Sequence, residues 1–321
     1  LSNAVHTGRG GKGTVFLWAG GNGLQYNDNV NNDGYANSIY TIAIAAMDNT
    51  GGQSYYSEPG ACIHAVAPSS GDNGGITTAD LMGANGYNSG GGWDLADPDY
   101  TSYFGGTSSA TPLAAGIMAL ILQANTNLGW RDAQEILIRC ARKNSPADSD
   151  WSTNSAGFHF NHKFGAGLID ARAAVSLAET WTNLGAQLWY ESTQTNLSLA
   201  IPDNNTNGTT VSFVVSGTNM RLEHVAATIY ITHSARGNLA ITLTSPSGMK
   251  SRLSEWHSDS TANYQNWTFT SVRHWGEELQ GTWTVNVADR AAGATGMVKS
   301  VRLDFYGTDT ALPSNRPPVL G

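Results

Sequence analysis

Charged residues are scarce in this sequence: Lys, Arg, Asp and Glu make up 13% of its 321 residues, whereas glycine occurs 37 times. This balance favours a loop-rich protein over a helical bundle. Acidic residues outnumber basic ones, 25 to 17. The resulting net charge of -8 argues against a nucleic-acid partner, which would require a basic face. The length exceeds that of a typical single domain, so two domains are expected.

Cysteine is also rare, with only Cys62 and Cys140 present. The two could form one disulfide or remain two buried thiols, and the sequence leaves both alternatives open. No stretch reaches the ~18–20 consecutive apolar residues of a membrane-spanning helix; the longest apolar segment, 112–122, is predicted to be a buried helix. No signal peptide is visible. The low charge and several Asn-X-Ser/Thr sequons indicate a secreted protein, extracellular or periplasmic.

Two short apolar runs bounded by glycines, TVFLWA at 14–19 and IYTIAIAA at 39–46, are typical of buried parallel strands. A Gly-rich loop follows each run, at the strand ends where α/β proteins place their chemistry. Helical patterns are predicted over 111–122, 131–142 and 167–180. The sequence up to about residue 183 therefore predicts an α/β unit.

The hydrophobic pattern changes to a period of two after about residue 185. Segments of this kind, separated by Gly, Pro, Ser and Asn turns, are HVAATIYITHS, NLAITLTSPSG, TWTVNVADR and VKSVRLDFYG. Several short strands at this spacing predict an all-β sandwich or jelly roll over residues 184–310. The tail 311–321 is interpreted as a linker.

Two adjacent serines occur in the segment FGGTSSATP. A nucleophilic serine needs exposure, a base and donors for the oxyanion. A tight turn into a helix capped near Ser108 would place its oxygen beside unpaired N–H groups, with Ser109 directed elsewhere. Pro112 fits the first turn of such a helix. Taken alone, the motif is more often a helix cap without a catalytic role.

The segment 106–112, GTSSATP, resembles the serine motif Gly-Thr-Ser-x-Ala-x-Pro of the subtilisin superfamily. Further segments resemble the kexin and furin branch in the same order: GRGGKGTVFLWAGGNG, NNDGYANSIYTIAIAA, YYSEPG, PLAAGIMAL, WRDAQEIL, DWSTN and FGAGLIDA. RLEHVAATIYITHSARGNLAITLTSPSGMKSRL, HWGEELQGTW and VRLDFYGT resemble the P domain of that branch. The resemblance implies a subtilisin-like parallel sheet over 1–183 and a jelly-roll P domain over 184–310. Departures from the family, such as the longer Gly-rich segment 82–104, suggest a bacterial relative.

The same resemblance implies a serine endopeptidase. Ser108 matches the nucleophile, Asn22 matches the amide that completes the oxyanion hole, and Asp33 matches an acid at the floor of the pocket for the residue before the cut. A facing carboxylate suits a guanidinium, so cleavage after a basic residue, Arg in preference to Lys, is expected. The remaining substrate-binding positions implied by the family are Gly20, Gly21 and Thr107.

A calcium ion is the expected cofactor, because Asp28 and Glu58 match calcium ligands of the family. Calcium prefers oxygen ligands, so two carboxylates from two loops would supply part of its coordination. An EF-hand in the loop YNDNVNNDGY is rejected, because Tyr40 stands where the twelfth-position Glu is required. His159 and His162 lack Cys or acidic neighbours and are interpreted as surface or packing residues, not zinc ligands.

The sequence contexts in which the family carries the Asp and His of the catalytic triad do not occur in this chain. The family carries them upstream, and Leu1 is interpreted as an entry into the middle of a helix. The expected partners are peptide or protein substrates with a basic residue before the cut, an N-terminal fragment of the same protease that carries the Asp and His, and a propeptide or chaperone. The alternative is an inactive fragment or a non-catalytic binding or adhesion protein. The Gly-rich segment 82–104, with Asp94, Asp97 and Asp99, is a candidate for substrate contact, metal binding or chaperone docking.

Overall fold

The computed structural model describes residues 1–72 and 74–309. Its first unit is built on a three-stranded parallel sheet in the order β1-β2-β3, with β1 (Phe16–Ala19), β2 (Thr41–Met47) and β3 (Ile63–Pro68). The predicted parallel strands near 14–19 and 39–46 are confirmed. The third strand was not predicted, because His64 and Pro68 interrupt the apolar pattern of IHAVAP.

The first unit has four α-helices: α1 (Ser2–Gly11), α2 (Thr107–Ala124), α3 (Trp130–Cys140) and α4 (Ala171–Glu179). α2 and α3 pack on the sheet, and α4 packs on α2 and α3. α1 begins directly after Leu1, and its backbone leaves helical geometry at Gly8. α4 begins four residues later than predicted, because the Asp170 side chain caps it by accepting a hydrogen bond from the Ala173 N–H.

α2 corrects two details of the sequence prediction. Its N-cap is Gly106, with a φ of 76°, so the cap does not lie at Ser108. The helix therefore starts at Thr107, and Pro112 lies in its second turn instead of its first. α2 is long and apolar enough to cross a membrane by length and composition alone. Its inner face packs on the sheet through Ala110, Ala114, Met118 and Ile121, as predicted for a buried helix.

β4 (Ile76–Ala79) and β5 (Tyr100–Phe104) form an antiparallel hairpin that leads into α2. A smaller antiparallel hairpin, formed by β6 (Ser152–Thr153) and β7 (His159–Phe160), follows α3. The buried Asn88 holds the loop of the first hairpin together by donating to the carbonyl oxygens of Leu95, Asp97 and Tyr100. Asp94 accepts hydrogen bonds from the hydroxyls of Thr101 and Ser102 on β5. Asp94 therefore has a structural role in this loop.

The second unit is a sandwich of two antiparallel sheets, as predicted. The four-stranded sheet has the order β10-β15-β12-β13, and the five-stranded sheet has the order β14-β11-β16-β8 with β9 beside β16. The strands are β8 (Leu188–Gln194), β9 (Leu199–Ile201), β10 (Asn205–Val215), β11 (Arg221–His233), β12 (Leu239–Thr244), β13 (Lys250–Ser254), β14 (Tyr264–Ser271), β15 (Gly281–Asp289) and β16 (Gly296–Thr308).

Inward-facing aromatic and aliphatic side chains join the two sheets of the sandwich. Trp283 on β15 and Phe305 on β16 are both fully buried, with ring centroids 5.0 Å apart across the core. The alternation of buried and half-buried residues along β12 and the middle of β15 is the period-two pattern of the sequence. The boundary at 183/184 stays a prediction, and the predicted linker 311–321 lies outside the described residues.

Buried ion pairs hold the sandwich against α3. Glu135 accepts hydrogen bonds from Arg139 on its own helix, from Arg221 on β11 and from the Trp275 indole. Beside it, Arg131 forms a forked pair with Glu223, with the Nε to Oε2 distance at 2.7 Å. These charges are buried together at the contact between the two units. Separating the units would therefore leave each charge without its partner.

Cys62 and Cys140 are both buried free thiols. Burial raises the pKa of each thiol, to about 12 for Cys140. Of the two alternatives that the sequence leaves open, the structure therefore shows the pair of thiols.

Candidate active site

The two adjacent serines differ sharply in their surroundings. Ser108 is exposed on the first turn of α2, where main-chain N–H groups lack the acceptor four residues earlier that they would have inside the helix. Ser109 is only 2% exposed, and its Oγ lies 2.5 Å from the Oγ of Ser69. Ser108 is therefore the accessible hydroxyl, and Ser109 is directed into the protein as predicted.

Asn22 lies next to Thr107, the residue before the serine. It follows β1 in the loop 20–23, and its Oδ1 accepts hydrogen bonds from the N–H and the hydroxyl of Thr107 at 2.9 and 3.0 Å. The Thr107 hydroxyl oxygen in turn accepts from the Gly21 N–H at 3.1 Å. Because the amide oxygen is held in this way, the Nδ2 hydrogens remain available beside the start of α2.

Gly106 permits the close approach of the serine turn to the loop that carries Asn22. A Cβ on Gly106 would lie 3.2 Å from the Asn22 Nδ2, and the positive φ of Gly106 also disfavours any other residue. Gly20, by contrast, is buried and extends β1 by donating its N–H to the Ile44 carbonyl at 2.9 Å. Thr107 is buried as well. Gly20 and Thr107 thus lie behind the site and support the loop that carries Asn22.

The carboxylates of Asp28 and Glu58 lie together under this loop. Glu58 is 7% exposed and accepts a hydrogen bond from the Gly23 N–H at 2.7 Å, and a Cβ on Gly21 would overlap its carboxylate. Burial, followed by the nearby charges of Asp28 and Asp33, raises the pKa of Glu58 to about 7. Lys163 and Arg252 line a pocket with Asp28 but pair with Asp148 and Asp150, and neither Asp28 nor Glu58 forms a salt bridge among the described residues.

This donor set fits calcium, because the cation prefers carboxylate oxygens and would relieve the repulsion between them. No cluster of three or more Asp, Glu, His or Cys side chains occurs in residues 1–72 and 74–309, so main-chain oxygens or water would complete the coordination. Asp33 is exposed, and its Oδ1 accepts hydrogen bonds from the N–H groups of Tyr35 and Ala36.

All eight histidines lie in the described part of the chain, and none of them hydrogen-bonds Ser108 there. His162 contacts Asp150 through Nδ1 at 2.9 Å and accepts the Arg252 N–H through Nε2, so it packs between the two units. His159 packs against the Trp151 ring. These contacts agree with the interpretation of both residues as packing residues.

Sequence reasoning missed the residues that support the serine turn from behind. The Ser69 hydroxyl donates to the Gly106 carbonyl at 2.6 Å, and the Tyr56 hydroxyl contacts Ser69 and Ser70. The pair Ser69-Ser70 follows β3 at the carboxyl end of a parallel strand, where α/β proteins place functional residues. Recognition of β3 would have drawn attention to them.

Two family models match the chain. The Subtilase family model matches residues 1–167, and the Proprotein convertase P-domain model matches residues 222–305. The chain is 39% identical over 321 residues to the human proprotein convertase subtilisin/kexin type 7 and 36% identical over 319 residues to kexin of Saccharomyces cerevisiae. Each match covers 96% of this chain but only 39% and 37% of those relatives. The chain thus spans about two fifths of their length.

Among solved structures, the chain is similar to the serine protease of Aeromonas sobria in complex with its chaperone. The TM-score is 0.83 and the sequence identity is 24%, with 93% of this chain and 65% of that chain covered. At this level of identity the similarity shows the fold, a subtilisin-like unit joined to a β-sandwich.

Proposed function

Because the chain belongs to the subtilase family, we propose that it forms part of a serine endopeptidase in which Ser108 is the nucleophile. One observation carries the proposal: the exposed serine lies at the start of α2 beside Asn22, whose amide oxygen is held by Thr107. Such an arrangement presents N–H groups to a developing oxyanion. A serine that only capped a helix would not require Asn22 to be held beside it by Thr107.

The proposed reaction starts when the Ser108 Oγ attacks the peptide carbonyl carbon and its proton passes to a base. The base is a histidine that we assign to an N-terminal fragment of the same protease. The Ser108 N–H and the Asn22 Nδ2 group stabilise the tetrahedral oxyanion, the C–N bond then breaks, and the amine leaves with the proton. Water hydrolyses the acyl-enzyme and regenerates the serine.

For the substrate, we propose a peptide with a basic residue before the cut, Arg in preference to Lys. Asp33 supports this specificity, because its Oδ1 is held by two main-chain N–H groups while the residue stays exposed. A carboxylate oriented in this way suits a guanidinium better than a point charge. We also propose that the protease is secreted and that a propeptide or chaperone is a partner, as in the chaperone complex of the Aeromonas sobria protease.

Covalent labelling tests the proposed function. The naturally produced protease is treated with phosphonate esters of a peptidyl arginine and of a matched peptidyl leucine, and the adduct is located by peptide mass spectrometry. We expect the arginine reagent to label Ser108 and leave Ser109 unmodified. Labelling at another residue, or none, would overturn the assignment of the nucleophile. Equal rates for the two reagents would overturn the basic specificity alone.

Asn22→Ala is expected to lower kcat by about 10²–10³-fold with little change in KM, because the amide donates to the oxyanion in the transition state and not to the bound substrate. This magnitude comes from a subtilisin and hence from a relative. Steady-state kinetics on an arginyl peptide amide checks it. Gln25→Ala, an exposed neighbour on the same loop, is the matched control and is expected to leave kcat unchanged. A loss below about threefold in Asn22→Ala would remove Asn22 from the oxyanion hole.

Calcium is proposed to bind Asp28 and Glu58 and to stabilise the loop that carries Asn22. Without calcium, the raised pKa of Glu58 favours the folded state at low pH, and this stability is lost as pH rises from 4.5 through about 7. Calcium competes with the Glu58 proton, so its stabilising effect increases over the same range. We therefore expect calcium to raise Tm more at pH 8 than at pH 6.

Thermal unfolding in calcium and in EGTA at the two pH values measures this difference. Glu58→Gln is expected to abolish most of the calcium effect and its pH dependence, whereas Glu179→Gln, an exposed residue on α4, retains both. Equal Tm values in calcium and EGTA at pH 8 would contradict the proposed site.

A further inference from the structure

A polar cleft of about 900 Å³ lies between the two units, away from Ser108. One wall is the loop 149–155 of the first unit, and the opposite wall is the outer face of the four-stranded sheet of the sandwich. Seven of its lining residues are Ser or Thr, and three are the cations Lys250, Arg252 and Arg273. Only one lining residue, Asp150, is acidic. Arg252 pairs with Asp150 and with Glu255, which leaves Lys250 and Arg273 as the lining cations without a salt bridge among the described residues.

Arg273 is the unusual member of this lining. It is 3% exposed, and its guanidinium donates from Nε to the Lys250 carbonyl at 3.0 Å and from Nη2 to the Ser152 hydroxyl at 2.7 Å. Its Nη1 group is buried and has no hydrogen-bond partner within the described residues. The two bonds clamp the guanidinium between the units and leave one donor group unused.

The other buried arginines show what Arg273 lacks. Of the four arginines buried among the described residues, three contact a carboxylate: Arg131 with Glu223, and Arg139 and Arg221 with Glu135. Arg273 contacts only a carbonyl and a hydroxyl oxygen. Burial of a cation without a counter-charge is unfavourable, and burial lowers the pKa of Arg273 to about 10.

Asp150 does not fill this role, although it lines the same cleft. Its Oδ1 is bound by the Arg252 Nη1 at 2.7 Å, and its Oδ2 accepts from the main-chain N–H and the Nδ1 of His162 at 2.6 and 2.9 Å. The pKa of His162 is lowered to about 3, mainly by burial, so that ring is neutral at physiological pH. The Asp150 carboxylate is thus hydrogen-bonded to Arg252 and His162, and Arg273 receives its electrostatic attraction without a hydrogen bond.

We propose that this cleft binds an oxyanion, which is a sulfate, a phosphate or the carboxylate of a larger ligand. The Nη1 group of Arg273 donates to one ligand oxygen, and the Ser152 hydroxyl, which already accepts from Arg273, donates its own hydrogen to the ligand. The exposed Lys250 ammonium contributes attraction at the mouth of the cleft. Because Ser152 belongs to the first unit and Arg273 and Lys250 to the sandwich, the bound anion stabilises the contact between them.

Thermal unfolding of the whole chain in sodium sulfate, sodium phosphate or sodium acetate tests the site, with NaCl added to keep the ionic strength constant. We expect Tm to rise and to saturate below about 20 mM, by roughly 2–4 °C at a concentration near ten times Kd. A general salting effect would differ, because it increases without saturation. Saturation in sulfate and phosphate identifies an inorganic anion, and saturation in acetate alone identifies the carboxylate of a larger ligand.

Two variants assign the effect to the cleft. Arg273→Lys is expected to raise the half-saturating concentration by about tenfold or more, because it removes the clamped Nη1 donor. Lys250→Met alters an exposed side chain and keeps the main-chain carbonyl that holds Arg273. It therefore tests whether the anion binds in the cleft even if Arg273→Lys folds poorly. For Lys250→Met we expect a half-saturating concentration two- to fivefold higher, which corresponds to the strength of an exposed ion pair. The control Lys299→Met on β16 is expected to leave the half-saturating concentration unchanged.

The proposal is wrong if no anion produces a saturable rise in Tm. It is also wrong if the rise persists unchanged in both Lys250→Met and Arg273→Lys, because the anion would then bind elsewhere. Neither outcome depends on proteolytic activity, so the proposed anion site and the proposed role of Ser108 can be disproved independently.

Discussion

Replacing Ser108 by alanine is expected to lower kcat on an arginyl peptide amide by about 10⁶-fold, as removal of the nucleophile does in a subtilisin, which is a relative of this chain. The expected loss is this large because the hydroxyl forms the covalent bond and no other group takes its place. KM should change little, since Ser108 contributes attack and not affinity. The measurement is steady-state kinetics on the naturally produced protease and on its Ser108→Ala form.

Ser109→Ala is the matched control, because it removes a hydroxyl one residue away that lies behind the turn. Its Oγ contacts Ser69 and the Gly106 carbonyl, so the substitution is expected to cost about 1 kcal/mol of stability. Activity should stay within a few-fold of the unsubstituted enzyme. Equal background hydrolysis before and after Ser108→Ala would favour the alternative of a non-catalytic binding protein.

Glu135→Gln is expected to lower the free energy of unfolding by about 3–5 kcal/mol, because it leaves Arg139 and Arg221 buried without their counter-charge. Glutamine keeps the shape of the side chain, so the loss is one of charge. The two arginines and Trp275 approach Glu135 from both units, and the loss should therefore weaken the contact between them. Chemical denaturation measures the free energy, and limited proteolysis between residues 180 and 188 reports separation of the units.

Glu278→Gln provides the comparison for this prediction. Glu278 is an exposed acid of the sandwich, and its substitution is expected to change stability by less than about 0.5 kcal/mol. If Glu135→Gln cost under about 1 kcal/mol, the buried pairs would not couple the units. A cost of similar size in both variants would point to net charge as the cause.

Local sequence patterns determined the elements that carry the site. The apolar runs predicted β1 and β2, and the alternation after residue 185 predicted most of the long strands of the sandwich, because each pattern repeats within a few residues. The motif GTSSATP located the serine turn, although it placed the helix start too late. Resemblance to a family added Asn22, Asp28, Asp33 and Glu58 as candidates, since composition alone would assign such residues to solvated turns.

Only the tertiary structure decided how those candidates are arranged. It brings Thr107 to Asn22 across 85 residues of sequence, places Glu58 under Gly21, and leaves Cys62 and Cys140 as separate thiols. It likewise leaves the buried Arg273 hydrogen-bonded to a carbonyl and a hydroxyl oxygen and to no carboxylate among the described residues, which no local pattern indicates. The physical reason is that periodicity depends on neighbours along the chain, whereas hydrogen bonds and buried charges depend on which distant segments pack together.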